Sequence, residues 1–150
     1  MIAAYRSFTA LDHADRRLVC EAALLTAIAW SGLRLLRFAT LRRILDGVVR
    51  LPAFGTSEQT HAAPTGRVAW AVTAVSARFS PATCLVQALA ADVMLRRRGV
   101  ASKLRIGVRS GDNATEPIEA HAWVECGGAV AVGAVDDLAE FAVLATLGPR

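Results

Sequence analysis

Cysteine is scarce in this chain, and its spacing excludes two of its common uses. Cys20, Cys84 and Cys126 are the three cysteines among 150 residues, and no two of them form a CxxC pair. An odd number of widely spaced cysteines makes neither the disulfide framework of a secreted domain nor the ligand set of a zinc site. We therefore expect a reducing compartment, the cytoplasm, and no metal.

Long hydrophobic runs are also missing, although hydrophobic residues make up 54% of the chain. Residues 18–36 are the best candidate, but Glu21 and Arg34 interrupt them and Ser31-Gly32 break the middle. A membrane-spanning helix needs about 20 mainly apolar residues. Residues 1–14 carry charged side chains rather than the apolar core of a signal peptide. The sequence thus predicts no membrane span.

Nucleic-acid-binding motifs are lacking, and aromatic residues are few at 6%. The net charge is nevertheless +4, and the arginines that could contact phosphate are Arg34, Arg37, Arg42, Arg43 and Arg96-Arg97-Arg98. Such a pattern is more typical of a solvated basic face, or of a surface that docks an acidic peptide or a partner protein. We expect no nucleic acid as a partner, and the absence of GxxxxGK[ST] leaves a nucleotide site without support.

The residues around Cys84 have the pattern of a helix start. Ser80 is a possible N-cap, Pro81 suits the first helical position, and Gly99 follows the periodic apolar segment. In the first turn of a helix, free N–H groups and the positive end of the dipole favour a thiolate, and could stabilise an oxyanion. Cys84 is therefore a candidate nucleophile, although a free cysteine is also a common core residue.

Of the three histidines, His13, His61 and His121, His121 is the best placed to act as a base. It belongs to an alternating strand in which Ile118, Ala120, Ala122 and Val124 form one face and Glu119, His121, Trp123 and Glu125 form the other. A strand can hold the imidazole rigidly beside a thiol. The alternative is a structural histidine.

Three segments resemble the transglutaminase-like core of lasso peptide biosynthesis B2 proteins. They read Ala-Thr-Cys-Leu-Val-Gln-Ala-Leu over residues 82–89, Leu-Arg-Arg-Arg-Gly-Val over 95–100 and Ala-His-Ala-Trp-Val-Glu over 120–125. The arginine-rich helical first half also resembles the N-terminal region of that family. The resemblance implies a cysteine endopeptidase that removes the leader from a ribosomally made precursor, with Cys84 as the nucleophile and His121 as the base.

The same resemblance implies the partners. They are the precursor peptide, a small leader-binding B1-type protein, and an asparagine-synthetase-like lasso cyclase that closes the macrolactam. The proposed chemistry requires no cofactor. Two other functions stay open: an acyltransferase of transglutaminase type, and a noncatalytic peptide-binding scaffold in which Cys84 is only packed.

The third catalytic residue departs from the family pattern. Twelve residues after the histidine, where the family often has an aspartate that orients the imidazole, this chain has Gly133. If Gly127-Gly128 form a two-residue turn, Ala134 lies opposite His121, and Asp136 shares its face. Asp136 is then the candidate third member.

Other outcomes stay open at this position. A register change of one residue would put Gly133 opposite His121 and leave Asp137 or an acid from elsewhere. Asp136-Asp137 could instead cap the segment 138–147. A cysteine–histidine dyad could also suffice.

The chain as a whole predicts an α+β fold, with a helical N-terminal region before a transglutaminase-like (papain-like) core in which the helix of the nucleophile packs on an antiparallel sheet. Helical patterns begin at Asp12, run over 33–49 and recur over 66–79, and strands are expected over 102–109, 118–125 and 129–135. The predicted organisation is a helical region 1–50, a linker 51–65 and a core 66–150, together forming one compact unit.

Overall fold

Helices occupy the first part of the chain and an antiparallel sheet the last part. The computed structural model describes residues 11–51, 64–79, 83–110 and 118–148, and most of the predicted linker 51–65 lies outside these ranges. The described helices are α1 His13–Leu35, α2 Phe38–Val49, α3 Pro64–Ser76 and α4 Cys84–Arg96, and the described strands are β1 Ser102–Arg109, β2 Glu119–Cys126, β3 Ala129–Val132 and β4 Ala142–Leu147. The predicted α+β class is confirmed.

The first two helices differ from the prediction at their boundary. Asp12 caps α1 as expected. The predicted start of the second helix at Leu33 is wrong, because α1 continues to Leu35. Gly32, inside α1, lets α2 approach closely, since a β-carbon there would lie 2.4 Å from Cδ1 of Leu41.

The helix that carries Cys84 begins at that residue. Thr83 is the N-cap, and its hydroxyl accepts a hydrogen bond from the Val86 N–H at 3.5 Å. The helix thus starts later than predicted from Ser80, and both Ser80 and Pro81 lie outside the described residues.

The four strands of the sheet have the order β3-β2-β1-β4 and pair antiparallel. β1 and β2 pair without interruption, which sets Leu104 opposite Val124 and Gly107 opposite His121. In one alternative from the sequence, Asp136-Asp137 caps a segment 138–147. The structure has a 3-10 turn there, Leu138–Glu140, with no side-chain cap from Asp137, followed by the edge strand β4.

A bulge in the β2–β3 hairpin changes the register close to His121. The pairing next to the two-glycine turn is the predicted one. Beyond it the register shifts, so that Val124 pairs with Val132, the last residue of β3. The predicted pairing of Ala134 with His121 is therefore wrong, and among the described residues the edge of β2 beyond β3 has no strand partner at His121.

The main apolar core lies between the helices and one face of the sheet. α4 is buried along most of its length and contacts the other helices as well as β1, β2 and β3. Ala122 and Val124 of β2 belong to this core, and we call their side of the sheet the inner face. Because side chains alternate along a strand, His121 and Trp123 project from the opposite, outer face.

α1 is a core helix with a buried charge. By length and composition alone it could cross a membrane. In the fold, however, Leu18, Glu21 and Leu25 are buried. The Glu21 carboxylate accepts hydrogen bonds from Arg97 and Arg98, each at 2.5 Å. A buried, paired carboxylate is the arrangement of a helix packed inside a protein.

A second buried carboxylate anchors the middle of α4. Asp92 is 0% exposed and accepts hydrogen bonds from Arg42 at 3.0 Å and from Ser102 at 2.7 Å, and Arg96 binds Asp46 at 2.7 Å. Arg42 and the arginine run that begins at Arg96 thus form ion pairs inside the fold. The prediction that they form a solvated basic face is wrong, because the buried Asp92 and Glu21 and the half-buried Asp46 hold them in ion pairs.

Candidate active site

Cys84 occupies the first position of α4, half-buried against the main core. The predicted place of this cysteine in the first turn of a helix is confirmed. Helix geometry leaves the N–H groups of Cys84 and Leu85 without an acceptor inside the helix, whereas the Thr83 hydroxyl takes that of Val86. These N–H groups and the helix dipole favour negative charge on an oxyanion beside the sulfur.

His121 lies on the outer face of β2, and contacts with three residues fix its ring. Nε2 lies 2.7 Å from the carbonyl oxygen of Gly133. The ring stacks on Trp123 with centroids 6.1 Å apart, and Phe141 lies at 5.5 Å. Because a carbonyl oxygen only accepts hydrogen bonds, Nε2 is the donor. The predicted orientation of His121, opposite the aliphatic side chains, is confirmed.

Gly107 makes room for these aromatic rings. It faces His121 from β1, and a β-carbon there would lie 3.0 Å from Cζ3 and Cη2 of Trp123 and 3.1 Å from Cβ of Phe141. Sequence reasoning identified neither Gly107 nor Phe141 as part of the site. Residues 142–147 lack the alternation of a half-buried strand, so no local signal placed β4 beside β1 or brought Phe141 to this face.

Trp123 is itself held in place by hydrogen bonding. Its indole N–H donates to Oε1 of Glu125 at 2.9 Å, and Arg105 donates to the other carboxylate oxygen at 3.1 Å. The bond from Trp123, helped by that from Arg105, lowers the pKa of Glu125 from its ordinary value. The ring on which His121 stacks is therefore oriented by a carboxylate that stays ionised.

The two acids considered for the third position lie elsewhere. Asp137 forms an ion pair with Arg109. Asp136 is exposed in the turn after β3, and no hydrogen bond or ion pair joins it to another described residue. The bulge removes the register argument for Asp136, and its catalytic role stays a prediction. The group in contact with His121 is the Gly133 carbonyl.

Cys84 and His121 lie on elements that pack together but are not hydrogen-bonded to each other. Cys84 contacts the core on the inner face of the sheet, whereas His121 projects from the outer face. The structure therefore has the thiol and the imidazole on opposite faces of the sheet, near the edge of β2 beyond Val132, and a catalytic contact between them stays a prediction. Catalytic contacts are often longer in a site without substrate.

An apolar groove of about 290 Å³ lies between α1 and α3. Val19, Thr26, Val75 and Phe79 are among its lining residues. Neither Cys84 nor His121 lines the groove, so it is separate from the candidate active site.

The fold and the site together define an α+β domain with a thiol at a helix N-terminus, packed on an antiparallel sheet that carries an imidazole. Enzymes that use cysteine as a nucleophile have these components. The family model described as transglutaminase-like superfamily matches residues 29–146, which include both Cys84 and His121. The chain belongs to the transglutaminase-like superfamily, which generally includes cysteine proteases and transglutaminases. No curated protein and no solved structure matches the chain.

Proposed function

We propose that this protein is a cysteine endopeptidase that removes the leader from a lasso peptide precursor and so frees the core for macrolactam closure. The observation that carries the proposal is Cys84 at the first position of α4, in a chain whose residues 29–146 match the transglutaminase-like superfamily. The three segments that resemble B2 proteins supply the substrate class. The reaction takes place in the cytoplasm.

The mechanism uses one nucleophile and one base. His121 accepts the thiol proton as the Cys84 sulfur attacks the carbonyl carbon of the bond between leader and core. The N–H groups of Cys84 and Leu85 stabilise the oxyanion. His121 then gives the proton to the departing amine, the C–N bond breaks, and the leader remains as a thioester on the sulfur.

Water completes the cycle. His121 takes a proton from a water molecule that attacks the thioester, and the C–S bond breaks. His121 returns this proton to the departing sulfur, which restores Cys84 as a thiol, and the leader leaves as a carboxylic acid that ionises in water. The other product is the core peptide with a free N-terminal amine.

A B1-type protein brings the leader to this chain, and an asparagine-synthetase-like cyclase takes up the product. Two exposed arginines of the N-terminal half, Arg37 and Arg43, form no ion pair with another described residue. Their charge supports docking of an acidic leader or of the B1-type protein. By contrast, Arg42, Arg96, Arg97 and Arg98 form ion pairs with Asp92, Asp46 and Glu21.

Mass spectrometry of a cognate precursor, incubated with the protein and its leader-binding partner, tests the proposal. We expect wild type and the control Cys20→Ala to release the leader, since Cys20 is exposed on α1. Cys84→Ala should release none, and His121→Ala should be slower by about 10²- to 10⁴-fold. Thermal unfolding of each variant checks that the fold is retained.

Three results would contradict parts of this proposal. Equal cleavage by Cys84→Ala would exclude the nucleophile. A leader amide formed in the presence of an added primary amine, in place of the leader acid, would assign an acyltransferase. Binding of the precursor by wild type without cleavage would assign the scaffold function.

A further inference from the structure

We propose that the main-chain carbonyl of Gly133 orients His121, in the role that the B2 family often gives to an aspartate side chain at this position. The inference deepens the proposed function and rests on it. Gly133 is a positioning residue, because it acts on the base and not on the substrate.

The hydrogen bond selects which ring nitrogen is free for catalysis. Nε2 of His121 lies 2.7 Å from the Gly133 oxygen, and a carbonyl can only accept. The neutral imidazole is therefore held with its hydrogen on Nε2. Nδ1 is left with a lone pair, so it is the atom that takes the proton from Cys84.

Position 133 has no room for an acid. Its φ of +86° is a conformation that favours glycine. A β-carbon there would lie 2.8 Å from the carbonyl oxygen of Ala122 and 3.0 Å from Cα and Cβ of Trp123. The first of these contacts is with backbone, which cannot move aside as a flexible side chain could. The same close approach brings the Gly133 carbonyl within reach of the His121 ring, and a side chain at position 133 would prevent it.

The other sides of the ring are already constrained. Trp123 stacks on it with an interplanar angle of 15°, and Phe141 packs at 49°. These two contacts fix the plane of the imidazole but do not determine which nitrogen carries the hydrogen. The hydrogen bond to the Gly133 carbonyl determines it, and a carbonyl carries no full negative charge.

Nitrogen NMR of the full chain tests the assignment without using activity. In a His13→Gln/His61→Gln variant labelled with ¹⁵N-histidine, His121 is the remaining histidine. Above the pH at which the ring is protonated, we expect one tautomer, with hydrogen on Nε2 and an unprotonated Nδ1. Hydrogen on Nδ1, or averaged signals from a mixture of tautomers, would overturn the inference.

Two glycines with nearly equal φ provide a matched pair of variants. Gly128 has φ +87°, and a β-carbon there meets nothing within 4 Å. Gly128→Ala therefore carries the conformational strain alone, and we expect one tautomer and a kcat within about twofold of wild type. Gly133→Ala should displace the carbonyl, give mixed tautomers and lower kcat by about 10²-fold with little change in KM.

Two further variants test whether an acidic side chain can orient the ring. Gly133→Asp should not rescue activity, because its side chain meets the same contacts as alanine. Asp136, the candidate from the sequence, is the competing orienting group. Loss of the single tautomer and of the rate in Asp136→Asn, with both kept in Gly133→Ala, would overturn the inference and assign the orienting role to Asp136. If wild type shows a single Nε2–H tautomer but does not cleave the precursor, the proposed function is rejected and this inference is kept. If wild type cleaves the precursor but shows mixed tautomers, this inference is rejected and the proposed function is kept.

Discussion

Glu21 joins α1 to the end of the helix that carries Cys84, and its removal is expected to destabilise the whole fold. The Glu21 side chain is 2% exposed, and its two oxygens lie 2.5 Å from guanidinium nitrogens of Arg97 and Arg98, which are 3% and 13% exposed. Glu21→Ala leaves both guanidinium groups inside the protein without this carboxylate. Removing one partner of a buried ion pair costs about 3–5 kcal/mol. The free energy of unfolding of a domain totals about 5–15 kcal/mol.

Urea unfolding followed by circular dichroism measures this loss. We expect the midpoint of Glu21→Ala to fall without a change in slope, and Tm to fall by roughly 10 °C. The matched control is Glu119→Ala, because Glu119 pairs with Arg109 but is 56% exposed. Exposed pairs contribute about 0–1 kcal/mol. A Glu21→Ala variant no less stable than Glu119→Ala would refute the reasoning.

Further predictions concern the glycines and cysteines. Gly47→Ala, in α2 with nothing within 4 Å of its β-carbon, should stabilise the protein by up to about 1 kcal/mol in urea unfolding. Gly32→Ala gains the same helix propensity, but its β-carbon would clash with the buried Leu41 side chain. Its unfolding midpoint should therefore lie at a lower urea concentration than that of Gly47→Ala. The opposite order would contradict the close packing of α1 on α2. Burial raises the pKa of the Cys126 thiol, so its alkylation by iodoacetamide, followed by mass spectrometry, should require higher pH than that of the exposed Cys20; equal rates across pH would contradict this.

Local signals in the sequence predict much of the secondary structure. Asp12 marks the start of α1, and the alternation over 102–109 gives the bounds of β1. β4 could not be placed in the same way, because its strand conformation depends on pairing with β1 rather than on its own sequence. Glu21 and Arg97 are 76 residues apart, and only the packed fold brings their charges together.

In the candidate site, too, local features could be predicted from the sequence and features that depend on strand pairing could not. The sequence identifies Cys84 and His121 through residue type and local pattern, since the first turn of a helix and the face of a strand are local properties. The bulge beside Val124 depends on how two strands twist against each other. The direction of the Gly133 carbonyl has no side-chain signal at all. From the sequence alone, a glycine where an acid is expected indicates that the third catalytic residue is missing. In the structure, the main-chain carbonyl of that glycine accepts a hydrogen bond from His121.

α4 separates the residues that stabilise the protein from those proposed to do chemistry. Asp92 lies on its buried middle, Glu21 binds the arginines just after its end, and Cys84 stands at its start. Breaking either buried charge cluster weakens the contacts that hold the helix in the fold, so any loss of activity should come with a loss of stability. A change confined to the first turn leaves both clusters intact, and activity should fall while the unfolding midpoint stays near that of wild type. Activity loss in a variant of Asp92 or Glu21 is therefore no evidence of a catalytic role, whereas the same loss at Cys84 with an unchanged midpoint is.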